Sequence, residues 1–311
     1  MLSRIAESLY WFGRYVERAE DTARILDVQY HLLLEDPEVD EEAACRAPLD
    51  VMGVSHRVDE EPLDAERVTR LLAYDPVNGG SIVGAISAAW ENARGAREAV
   101  SAETWRCLNA TYNALPQAAE VADGYSPHSF FDWIKERAAI LVGLADSTMS
   151  RDDGWRFLVL GRSIERVDMT TRMLSARHRE GWGTSGWITT LRCCSAHEAY
   201  LRTYQQAVDA SLAAQFLLLD RLFPRSLFHA VSTAEQCLAE LDPRSGRTGL
   251  EDEARRILGR ARTGLEFGGR DELLANLPQR LVEIQSLCGQ AGAAIAARYF
   301  GQTQLVSWHA G

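Results

Sequence analysis

Signatures that announce a reaction are largely missing from this 311-residue chain. It has no GxxxxGK(S/T) phosphate loop, no GxSxG nucleophile elbow and no GxGxxG dinucleotide loop. His197-Glu198 lacks the second histidine of a HExxH zinc motif, and the seven histidines show no ligand spacing along the chain. The six cysteines (Cys45, Cys107, Cys193, Cys194, Cys237 and Cys288) form no CxxC pair, so buried, reduced thiols are expected. No uncharged apolar run reaches the 18 or so residues of a membrane span. The N-terminus, MLSRIAESLYWFGRYVERAE, is too evenly charged for a signal peptide, and a cytoplasmic location is the expectation. Basic residues are the minority charge, 33 against 44 acidic, for a net charge of −11. That balance argues against a nucleic-acid backbone as the main partner, which needs a positive footprint. It still leaves room for a local basic pocket.

Strand signals are missing too, whereas helical periodicity runs through the whole chain. Ile5, Leu9, Phe12, Val16, Ala19, Ala23, Leu26 and Tyr30 follow an alternating 4,3 spacing that predicts one long amphipathic helix. Pro37, Pro48 and Pro62 keep residues 35–63 from continuing it. Further helices are predicted over 64–74 (capped by Asp64), 81–100, 102–120, 126–149, 152–179, 187–222, 225–241, 248–267 and 270–300. Asn78-Gly79-Gly80, residues 181–186, Pro243–Gly246 and Gly268-Gly269 read as turns or loops between them. The predicted fold is an all-α bundle of eight to eleven helices. A single domain over 1–311 is expected, with halves of about 1–120 and 121–311.

Those halves are suggested by an internal echo. Residues 10–26, YWFGRYVERAEDTARIL, and 158–174, LVLGRSIERVDMTTRML, align without gaps at seven identities in 17 positions. The shared residues are Gly13/Gly161, Arg14/Arg162, Glu17/Glu165, Arg18/Arg166, Thr22/Thr170, Arg24/Arg172 and Leu26/Leu174. Phe157, Leu160, Ile164, Val167, Thr171 and Leu174 repeat the apolar stripe. Beside it runs a charged band in which Arg14–Arg18, Glu17–Asp21 and Arg162–Arg166 are like-charged pairs one turn apart. Such spacing weakens an isolated helix, so the pattern makes better sense if the Arg and Glu of one copy meet those of the other.

Three readings of the band stay open. It is an ion network around a pseudo-two-fold axis that fixes helix register. Alternatively, Arg14, Arg18, Arg162 and Arg166 line a cleft for a carboxylate or phosphate, with Glu17 and Glu165 orienting them or acting as acid/base. The third reading is a solvated face. A metal site at Glu17-x-x-Glu20 and Glu165-x-x-Asp168 is disfavoured, because neither copy carries the Glu-x-x-His of di-iron bundles. No metal and no cofactor are expected. Gly13 and Gly161 cost roughly 1 kcal/mol each inside helices, which predicts close backbone approach where the two segments cross, with Trp11 nearby.

The opening MLSRIAESLYWFGRYVERAEDTARIL resembles the start of the bacterial alpha-E family, named for its helices and its Glu-Arg motif. Further matching stretches are Trp90–Arg94, Glu103–Trp105, Asp146–Met149, Trp155–Phe157 with Leu160–Arg162 and Glu165-Arg166, Phe223–Ser226, and Tyr299-Phe300. Ser147 departs from the family, where glycine is expected. The resemblance implies company more than activity: a circularly permuted ATP-grasp protein, a transglutaminase-like peptidase and sometimes a proteasome-like hydrolase. It therefore implies a role in a peptide-ligating or peptide-modifying system, and it adds Asp146, Thr148, Arg151 and Arg156 as candidate ligand-binding residues. Three functions follow as expectations: a non-catalytic helical partner of the ATP-grasp ligase, an enzyme or ligand-binding protein with an Arg/Glu cleft, and an oligomer subunit.

Overall fold

A computed structural model describes residues 1–57, 63–180, 183–243 and 249–301, with the side chains of 179 and 180 left out. Among these residues there are fourteen α-helices and no strand, so the chain is an all-α multi-helix bundle. The longest, α1 (Ser3–Glu35), spans about 50 Å at 1.5 Å per residue. Its predicted stripe is buried from Ile5 to Leu26, and Tyr30 is half-buried. Then come α2 (Glu41–Met52), α3 (Ala65–Thr69) with a wider turn over Arg70–Tyr74, α4 (Ile82–Gly95), α5 (Ala102–Gly124) and α6 (Pro127–Thr148). The second motif helix is α7 (Asp153–Glu180). It is followed by α8 (Thr184–Cys193), α9 (His197–Tyr204), α10 (Ala210–Leu219), α11 (Leu227–Leu241), α12 (Glu253–Phe267), α13 (Arg270–Ala275) and α14 (Leu277–Tyr299).

Side-chain caps start many of these helices. Asp40, Asp64, Ser81, Ser101, Asp209, Ser226 and Asp252 each accept a backbone N–H from the first turn that they open. As expected, residues 35–63 are not one continuous helix, although α2 lies within them with Pro48 buried inside it. The expected eight to eleven helices need correction to fourteen among the described residues, because α2 is added and two stretches expected to be continuous are divided. Residues 187–222 are three helices rather than one, because Ser195 and Gln205 take left-handed backbone angles (φ 54° and 53°) that end α8 and α9. Similarly, Asn276 separates α13 from α14. Pro62, the start of the 181–186 loop and most of the Pro243–Gly246 turn lie outside the described residues. No described helix is long and apolar enough to cross a membrane.

The most extensive helix contact is between α1 and α7, which lie together at the centre. On its other sides α1 meets α4 and α6, and α7 meets α11 and α14. The two glycines set the central separation. A Cβ added at Gly13 would sit 2.1 Å from the Leu158 carbonyl oxygen, and one at Gly161 only 1.9 Å from that of Tyr10. Only residues without a side chain let the backbones come this close.

Candidate functional site

With the backbones in contact, the charged bands of the two helices interlock. The carboxylate of Glu165, 1% exposed, lies between two arginines of α1. Arg14 Nε donates to its Oε2 at 2.7 Å; Arg18 donates from Nε to Oε1 at 2.6 Å and from Nη2 to Oε2 at 3.0 Å. In the opposite direction, Arg166 Nε donates to Oε1 of Glu17, which is fully buried, at 2.6 Å. The two Glu-Arg segments thus clasp each other, as the like-charged spacing within each copy suggested.

The halves of the clasp differ. By the symmetry of the repeat, Arg162 should do for Glu17 what Arg14 does for Glu165. Instead, Arg162 Nε and Nη1 and Glu17 Oε2 are all buried without a hydrogen-bond partner. The place beside Glu17 is taken by Arg225, from the turn before α11. Its Nη1 lies 2.8 Å from Glu17 Oε1 and also bonds Asp21, while Nη2 donates to Glu20 Oε1 at 2.6 Å. Arg24 completes the group through Glu20 at 2.7 Å. Sequence reasoning missed Arg225 as the hub of this cluster. The signal was indirect: Glu17, Glu20 and Asp21 crowd one helix turn and need a cation from elsewhere.

The electrostatics follow from this geometry. Burial alone would raise the pKa of Glu17, but the charges of Arg166 and Arg225 outweigh it and hold the group at about 2. Burial likewise opposes ionisation of Glu165, and Arg14 and Arg18 overcome it, leaving its pKa lowered. Asp21 goes the other way. Burial and the neighbouring charges of Glu17 and Glu20 outweigh Arg225 and push it up to about 7. Its second oxygen has no partner, which suits a protonated carboxyl. Burial, then the like charge of Arg166, lowers the pKa of Arg162. The arginines therefore favour the carboxylate form of both motif glutamates.

The other candidate residues gather at the α6–α7 corner, where the charge of Asp146 acts on Arg162. Trp155 Nε1 donates to Asp146 at 3.2 Å, Arg151 bonds Asp146 and lies 4.0 Å from the Trp155 ring centre, and Thr148 donates to Ser101 at 2.7 Å. Arg156 pairs with Glu240 of α11 at 2.9 Å. Among the described residues, none of these four hydrogen-bonds Glu17 or Glu165. Glu20 and Asp168, considered for a metal, face Arg24 and Arg225 and Arg172 respectively.

Beside the closed half of the clasp lies a cleft of about 460 Å³. Tyr10, Trp11 and Arg14 of α1, Asp168 and Arg172 of α7, and small residues of α14 line it. Arg14 stacks 5.1 Å from the centre of the Trp11 ring. The Tyr10 hydroxyl is buried beside the Arg14 guanidinium, and burial pushes its pKa up to about 12. The six cysteines are buried and unpaired.

A family model described as a predicted alpha-helical domain with a conserved ER motif, Alpha-E, matches residues 1–300. The chain is also similar to uncharacterized proteins of Mycobacterium bovis and Mycobacterium tuberculosis, at 27% identity over 91% of its own length. It spans about a third of the length of those relatives (35%). No solved structure matches it.

Proposed function

The chain belongs to the Alpha-E family, and we propose that it is a non-catalytic helical partner in a bacterial peptide-ligating or peptide-modifying system, acting with an ATP-grasp-type ligase. The observation that carries the non-catalytic part is the state of the two motif glutamates. Each is buried, ionised and bonded to arginines, which suits a register pin and not an acid/base group. The identity of the partner rests on the family resemblance of the Glu-Arg segments and the blocks between them. The mycobacterial relatives are compatible with this reading, since the matching region there is one part of a longer chain. Co-purification of the chain with an ATP-grasp protein encoded beside it tests the proposal. A complex, with ATP and peptide or without them, is the expected result; failure to associate under either condition refutes it.

A second reading, binding of a carboxylate or acyl-phosphate, is favoured by the cleft beside Arg14. A half-buried guanidinium, the Tyr10 hydroxyl beside it and the Trp11 face together suit an anion attached to a flat or apolar body. Calorimetric titration with amino-acid and short-peptide carboxylates, repeated on Tyr10→Phe, separates the two readings. Saturable binding that weakens in the variant supports the cleft, and no heat with any of them removes it.

A further inference from the structure

Near the far end of α1, well along the chain from the Glu-Arg clasp, a second titratable cluster joins α1 to α6. Asp27 and His31 lie one turn apart on the same face of α1, and His128 is the second residue of α6. Asp27 Oδ1 and His128 Nδ1 are 2.5 Å apart, His31 Nε2 and His128 Nδ1 3.3 Å, and His31 Nε2 and Asp27 Oδ1 3.7 Å. We propose that Asp27, His31 and His128 form a binding site for a divalent transition metal of the zinc type, with Asp132 and Lys135 orienting its ligands.

The argument starts from the triangle itself. Ligand atoms at about 2.0–2.1 Å from a tetrahedral zinc lie about 3.3–3.4 Å from one another. Two of the three separations already lie near that value; the third opens by less than 1 Å when the ion replaces the Asp27–His128 hydrogen bond. Two imidazole nitrogens and one carboxylate oxygen are the donor set that zinc and its neighbours prefer. The surroundings supply the second line of support. His128 turns its other ring nitrogen, Nε2, to Asp132 at 3.2 Å. Metal-bound histidines almost always donate that second N–H to a carboxylate or carbonyl, which fixes the tautomer with a free lone pair on the metal side. Lys135 Nζ bonds the outer oxygen of Asp27 at 2.6 Å and Asp132 at 2.6 Å, so it holds both carboxylates while leaving Asp27 Oδ1 to the ion. Two carboxylates against one ammonium leave the cluster negative when the imidazoles are neutral. The His31 and His128 side chains are 41% and 38% exposed, which leaves the remaining coordination positions open to water. The protein supplies three ligands and solvent the rest, the pattern of an open rather than a closed zinc site.

The test uses the untagged full chain, stripped with a chelator. Cobalt(II) added to it is expected to bind one-to-one and to give the visible absorption of a four- or five-coordinate site, which zinc then displaces. His31→Ala and His128→Ala should each lower the affinity at least tenfold. Asp132→Asn, which touches no metal, should lower it by roughly ten- to a hundredfold through the lost histidine partner. Both histidines are half-exposed, so the variants should keep their helical circular dichroism; His128→Gln serves as a second variant if the alanine form does not. No stoichiometric binding, binding indifferent to the histidine variants, or an unchanged affinity in Asp132→Asn overturns the proposal, and the cluster is then an ion network only.

Discussion

Replacing Gly161 with alanine puts the close crossing of α1 and α7 to a quantitative test. In an exposed helix interior the change would stabilise the protein by about 1 kcal/mol, because glycine is the poorer helix former. Here the new Cβ would lie 1.9 Å from the Tyr10 carbonyl oxygen, with the Tyr10 carbonyl carbon also close, at 2.8 Å. Both obstacles are backbone, so no rotamer change relieves them. The helices must move apart by about 1 Å or more to restore an ordinary contact. That shift carries the Arg14 and Arg18 bonds to Glu165, now 2.6–3.0 Å, beyond hydrogen-bonding range. Each hydrogen bond to a charged group contributes roughly 1.5–3 kcal/mol, and the carboxylate would stay buried. After the gain in helix propensity, loss of the three bonds gives an expected net loss of about 3–8 kcal/mol, or a fall in Tm of about 5–12 °C for a chain of this size. Gly143→Ala and Gly259→Ala are the internal controls, since both lie in helices and a Cβ at either meets nothing within 4 Å. They should stabilise by about 1 kcal/mol. Urea unfolding of the three variants decides the matter. A Gly161→Ala protein as stable as its controls would refute the crossing geometry and the clasp built on it.

Glu165→Gln leaves two half-buried guanidinium groups facing an uncharged amide at a buried position and should cost about 3 kcal/mol in urea unfolding, as for other broken buried pairs. Asp21→Asn should stabilise at neutral and alkaline pH. Asp21 has its pKa raised from 3.8 to about 7 in the fold, so its contribution is present below about pH 4 and is lost as pH rises to about 7. The advantage of the variant, followed by Tm against pH, should therefore be absent in acid, grow through this window and level off above it; a constant difference would contradict the assignment. Burial pushes the Cys45 thiol to about 11 and the Cys193, Cys237 and Cys288 thiols to about 12. A thiol reagent should label these four only on unfolding, and rapid native labelling of Cys193 would contradict this.

How much of this was legible in the sequence depended on periodicity and on local geometry. The Ile5-to-Leu26 stripe and its echo at 157–174 marked the two central helices, because apolar spacing follows directly from the helix repeat. Their contact could be read from the matched glycines and from like charges set one turn apart, a pattern that is unfavourable unless a partner helix answers it. What stayed hidden lacked a local signal. Ser195 and Gln205 break a continuous helical pattern through left-handed angles that neither residue type announces. The prolines of 35–63 showed that no single helix runs through it, but not that α2 would form around Pro48. Arg225 reaches Asp21 across 204 positions, and His128 reaches Asp27 across 101, so no spacing rule along the chain could join them. The echo also implied equal halves, whereas Arg225 displaces Arg162 from Glu17 and makes the clasp unequal.

The central claim is that two buried glutamates, Glu165 held by Arg14 and Arg18 of α1 and Glu17 by Arg166 of α7 with Arg225, remain ionised as a pin between α1 and α7. Carbon-13 NMR titration of the glutamate side-chain carboxyls, with Glu17→Gln and Glu165→Gln to assign the signals, tests it most directly. The account predicts that both titrate below the usual 4.5, Glu17 near 2. A motif glutamate that titrates at or above 4.5 would contradict it.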